Sequence, residues 1–183
     1  GSWTQAVPMM RSEVKSPLKM TFSSPDTVLS LDQGISVSVD TATALTNITA
    51  ADLPVVFVGF GANAPEQDWD DYGDIDLTDK LVIYLVNDPD FAAEPDEPVA
   101  GRFGNRRMTY YGRWAYKFEE AARRGAFGAL VIHETKAAGY DWSVAAAGAG
   151  ENVSLANKDP KALPVRLQGW LHNDAAHELL ATA

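Results

Sequence analysis

Two kinds of hydrophobic run alternate along the chain. Ile35-Ser36-Val37-Ser38-Val39 alternates apolar with polar, which predicts a strand with one buried face. Pro54-Val55-Val56-Phe57-Val58-Gly59-Phe60 and Leu81-Val82-Ile83-Tyr84-Leu85-Val86 are nearly continuous apolar runs, so strands covered on both faces are expected there. Ala129-Leu130-Val131-Ile132-His133 is another strand. Before it the period changes. Trp114, Phe118, Ala121 and Ala122 recur at i, i+4, i+7 and i+8, predicting a helix over about 112–124 with these four on its buried face. Gly125 stands where a helix end favours a residue without a Cβ, and Arg123 and Arg124 suit the negative end of the helix dipole. Strand, helix, strand is therefore the best-specified unit, with a crossover between parallel strands expected.

The flanking segments are less regular. Residues 18–22 read as a strand among the prolines Pro8, Pro17 and Pro25, and 40–52 as loop or irregular edge strand. Residues 87–111 form a long connection in which Pro89, Pro95 and Pro98 exclude regular helix. Connections of that length are usually mobile or functional, and this one is expected to stay out of the core. A small-residue loop at 145–150, a strand at 165–167 and a helix from about Asn173 to Leu180 complete the chain. No repeat or linker divides it. One α+β domain over residues 3–183 is expected, with Gly1-Ser2 read as a cloning scar.

Composition narrows the chemistry. The 183 residues include no cysteine, which removes a disulfide scaffold and a thiol nucleophile. No apolar run approaches the about 18 residues of a membrane span, so none is expected. The net charge of −10 argues against nucleic acid as partner. It is unevenly spread: residues 66–97 carry twelve acids and one base, residues 101–124 seven bases and two acids. Mutual screening of two solvated loops is the simplest reading of that match.

Several motifs fall short of a site. Gly59-Phe60-Gly61-Ala62-Asn63-Ala64 has dinucleotide-loop spacing, but Pro65, Glu66, Asp68, Asp70 and Asp71 follow instead of a helix, so it reads as a turn. Asp68, Asp70, Asp74, Asp76 and Asp79, with Gly73, partly match a calcium loop. Tyr72 replaces an acid and Asp79 a glutamate, and an acidic turn with Asx-type bonds accounts for the composition. His133-Glu134 opens a zinc-peptidase signature that Ala137 breaks, and His172 and His177 do not share a helix face. The histidines are read as structural.

The run from Gly112-Arg113-Trp114-Ala115-Tyr116-Lys117-Phe118 through Gly125-Ala126-Phe127-Gly128 to Ile132-His133-Glu134 resembles the core motif of the protease-associated (PA) domain: a helix with an aromatic and a lysine, then an apolar strand. Residues 54–61, Trp69-Asp70-Asp71-Tyr72 and Tyr110-Tyr111-Gly112 are similar to the subgroup inserted in exported bacterial zinc aminopeptidases of the glutamate-carboxypeptidase and transferrin-receptor type. The likeness extends from about Trp3 to Leu180.

The resemblance implies a swivelling β/β/α fold, a β-sandwich or partly open barrel with a few helices. It also implies a non-catalytic role in substrate access or protein contacts, in the periplasm or outside the cell. No H-x-D and no suitably placed Glu pair can be carried over, so no cofactor is expected here and zinc only in the parent's peptidase domain. That domain and a peptide or protein substrate are the implied partners. A free-standing peptide- or protein-binding domain, attached to no peptidase, is the alternative.

The candidate contact surface lies on the long connection, where Phe103, Tyr110 and Tyr111 accompany Arg106, Arg107 and Arg113. Aromatic and arginine side chains together mark interface centres. The competing reading has the tyrosines covering the helix start and the arginines pairing with Asp88, Asp90, Glu94 and Asp96, and the matched charges favour it.

Overall fold

A computed structural model describes residues 3–15, 18, 20–156 and 163–181; Gly1-Ser2, read above as a cloning scar, Pro17 and the last two residues lie outside these. The strands are β1 (Met9–Glu13), β2 (Met20–Ser23), β3 (Val28–Leu31), β4 (Val37–Asp40), β5 (Val55–Phe57), β6 (Asn63–Ala64), β7 (Trp69–Asp70), β8 (Leu81–Leu85), β9 (Gly128–His133), β10 (Glu151–Leu155) and β11 (Leu167–His172). The helices are α1 (Trp114–Arg123), α2 (Thr135–Ala138), α3 (Trp142–Ala146) and α4 (Asn173–Leu180), with a 3₁₀ turn at Pro65–Gln67.

The fold is α+β. Its centre is a five-stranded sheet in the order β4-β11-β9-β8-β5. The neighbours from β11 to β5 run parallel, and β4 joins β11 antiparallel at the edge. Three two-stranded ribbons, β1–β10, β2–β3 and β6–β7, surround it. No described helix is long and apolar enough to cross a membrane.

The strand–helix–strand unit forms as expected, with β8 and β9 parallel neighbours. Helix α1 stops at Gly125, whose φ of +75° lets its N–H reach Ala122 O at 3.0 Å while Ala126 N–H reaches Ala121 O at 3.0 Å. Alternation along β8 and β9 then builds two cores. Val82, Tyr84, Ala129 and Val131 meet Phe118 and Ala121 of α1. Leu81, Ile83, Leu130 and Ile132 meet Phe22 and Leu31 of the β2–β3 ribbon and Ala175 and Ala176 of α4. Each large side chain buried this way contributes about 1.5–3 kcal/mol.

Several expectations need correction. Trp114 is not buried against the sheet: it is 46% exposed, because its ring lines a cleft, tilted against Phe118 and edge-on to Trp170. Strand β5 is not covered on both faces. It is the edge strand opposite β4, and Val55 and Phe57 stay exposed. The strand expected at 165–167 runs instead from Leu167 to His172. Gly169 breaks the apolar pattern there because β4 passes so close that any side chain would meet the Ser38 backbone. The stretch 145–150 is partly the end of α3, and β10, unforeseen, pairs with β1. Ile35 lies in a turn closed by bonds to Asp32 O, so its strand starts at Val37.

Candidate functional site

The long connection between β8 and α1 contains no strand or helix, as its prolines required, yet it is not solvated throughout. Its two leading carboxylates turn inward. Asp88 is fully buried and accepts from Thr109 N–H at 2.6 Å and Thr109 Oγ1 at 2.7 Å. Asp90 Oδ2 accepts from Phe103 N–H at 2.9 Å and Asn105 N–H at 2.8 Å, while its buried Oδ1 has no partner. Two acids close to the start of the loop thus fix backbone at its far end. Burial raises the pKa of Asp88, opposed by its Thr109 bonds.

Lys117 closes the arrangement from beneath. It lies on the buried face of α1, and its ammonium donates to Phe60 O at 2.5 Å, Tyr111 O at 3.1 Å and Asn87 O at 3.2 Å. One side chain therefore ties the turn after β5, the end of β8 and the last residues of the loop together. Burial pushes its pKa down to about 7, against the pull of Asp88 and Asp71. The three carbonyls use all three ammonium donors.

The expectation that this segment cannot be core is overturned. Phe103 is 4% exposed and packs with Ala62 and Ala64, edge-on to Trp69 and Tyr111. It anchors the loop and is no contact residue. Tyr110 and Tyr111 do cover the start of α1: both rings meet Tyr116 at 5.1 Å. Their hydroxyls donate to Glu119 Oε2 at 2.5 Å and Glu66 Oε1 at 2.7 Å, and the latter bond raises Tyr111 to about 12.

The arginines do not pair as the charge match suggested. Asp88 and Asp90 are taken by backbone amides, and Arg106, Arg107 and Arg113 are exposed, their side chains making no hydrogen bond, ion pair or ring contact among the described residues. Arg113 is the N-cap of α1 and, with Met108 and Trp114, lines a cleft of about 220 Å³ whose other walls include Val86, Ala138 and Tyr140. The cleft opens where β8 ends and β9 gives way to α2. Parallel sheets offer their binding crevices beyond the carboxyl ends of their strands.

No protein-family model, curated protein or solved structure matches the chain.

The remaining candidates lie elsewhere. Among Asp68, Asp70, Asp74, Asp76 and Asp79, Asp70 accepts from Tyr72 N–H at 2.9 Å and Asp76 from Thr78 N–H at 2.9 Å, the Asx-type bonds of an acidic turn. Asp68 and Asp79 adopt left-handed backbone, and no three such ligands converge among the described residues. Gly59 and Gly61 are a turn with positive φ, and a side chain at Gly61 would overlap the Tyr84 ring. His133 is buried among the rings of Tyr140, Trp142 and Trp170, its Nε2 without a partner, and burial lowers its pKa. His172 accepts from Asp174 N–H to cap α4. A second cavity, of about 510 Å³, lies between Leu45, Phe127 and Leu163.

Sequence reasoning missed Lys117. The signal was present, since position 117 lies four residues before Ala121, on the stripe that the apolar pattern assigned to the core.

Proposed function

We propose that this chain is the non-catalytic accessory domain of an exported zinc aminopeptidase, of the PA type and swivelling β/β/α fold, contributing to substrate access or protein contacts. The observation that carries it is the behaviour of the motif run. Residues 112–134 form α1 and β9 in the order of the PA pattern, and the lysine of that pattern, Lys117, holds the preceding loop. The loop then has a fixed backbone with arginine and aromatic side chains on its outside, a surface for contacts rather than chemistry. His133 is engaged in packing and His172 in capping, and the reading assigns zinc to the parent's peptidase domain. Location outside the cytoplasm goes with that parent.

The purified chain, incubated with zinc and aminoacyl chromogenic substrates, should release no more product than buffer. Turnover that disappears on chelation would overturn the reading. The natural reading frame separates the accessory domain from a free-standing binding module: peptidase sequence is expected on both sides of this segment.

A further inference from the structure

We propose that Arg106, Arg107, Met108, Arg113 and Trp114 form a docking face for an acidic segment of a protein partner, its carboxylates on the arginines and one apolar side chain in the cleft. The charge distribution carries the argument. Five arginines have partners: Arg11 pairs with Glu151, Arg123 and Arg124 with Glu120, Arg102 bonds Asp68 O, and Arg166 lies over the Phe127 ring. Of the three whose side chains have none among the described residues, Arg113 lines the cleft, and Arg106 and Arg107 directly precede its Met108 in the chain. In a chain of net charge −10, three exposed cations of one connection, unpaired among the described residues, are a local surplus that internal acids do not neutralise.

The apolar part agrees in size and kind. Met108 and Trp114, in the walls of the cleft, are 37% and 46% exposed. At about 220 Å³ it is smaller than the ~300–1,000 Å³ of sites for whole small molecules, and suits one side chain of a longer ligand. The bonds of Asp88, Asp90 and Lys117 fix the backbone beneath, so little ordering is required on binding. A nucleic acid fits less well. Its charges recur every ~1.7 Å and would run onto Glu94, Asp96 and Glu97, exposed on the same loop.

This inference rests on the reading of the chain as a binding module and names what it binds. Aminoacyl turnover tests that reading and peptide affinity tests this one, so the two fail separately. The probe is a short fluorescein-labelled peptide of aspartates and glutamates around one phenylalanine, followed by anisotropy. It should bind the chain saturably, and replacing its acids by asparagine and glutamine should weaken binding at least about tenfold. The Arg107→Glu/Arg113→Glu pair should abolish binding, and the milder Arg106→Gln/Arg107→Gln should weaken it several-fold with an unchanged melting temperature. Absence of saturable binding, equal affinity for the amide peptide, undiminished binding by folded arginine variants, or equally tight binding of a single-stranded oligonucleotide would each overturn the proposal.

Discussion

Phe103 and Trp114 exchange the places that their sequence contexts suggest. Phe103 occurs in a proline-broken loop yet is enclosed by Ala62, Ala64, Trp69 and Tyr111. Trp114 starts an amphipathic stripe yet is nearly half exposed. Burial, not loop or helix membership, sets the cost of truncation. Phe103→Ala should cost about 3 kcal/mol in urea denaturation, whereas Trp114→Ala should cost about 1 kcal/mol or less. The reverse order would mean that the loop packs differently from the arrangement described.

At the scale of elements, Asp40 links β4 to both β11 and β10. Its Oδ1 accepts from Gln168 Nε2 at 3.1 Å and Asn152 Nδ2 at 2.9 Å. Burial nevertheless raises its pKa to about 6, the two bonds opposing. The folded state therefore holds this proton more tightly than the unfolded chain. The resulting stabilisation is complete below about pH 4 and is lost as pH rises through about 6. Asp40→Asn removes the dependence: the stability of the variant relative to the parent should rise by about 2 kcal/mol between pH 4 and pH 7. Parallel denaturation curves at the two pH values measure this, and an unchanged difference would place Asp40 in water.

The same elements mark how far the sequence was legible. The unit from β8 to β9 was readable because a clean period and a glycine stop coincide. The β1–β10 ribbon was not, since its long-range partners alternate exposed with half-buried residues and carry no apolar run. The end strand β11 was displaced by Gly169, whose role depends on the distance to another strand. At the site, proximity in sequence suggested that acids and arginines pair. Backbone amides, which no composition records, captured the acids instead.

At the scale of the molecule, the sheet is a platform whose central strands are covered on both faces, and the connection leaving its β8 strand is a built surface. Lys117 is the residue on which this depends. Lys117→Met leaves three carbonyls without a donor and Asp88 without its nearby cation, a loss of about 3–5 kcal/mol. Amide hydrogen exchange tests the claim most directly that residues 87–113 are a fixed face and not a mobile strap. The N–H groups of Phe103, Asn105 and Thr109, which end on Asp90 and Asp88, should be protected nearly as well as those of β9. In Lys117→Met their protection should fall well below that of β9. Exchange of these three amides at unstructured rates in the unaltered protein would contradict the account.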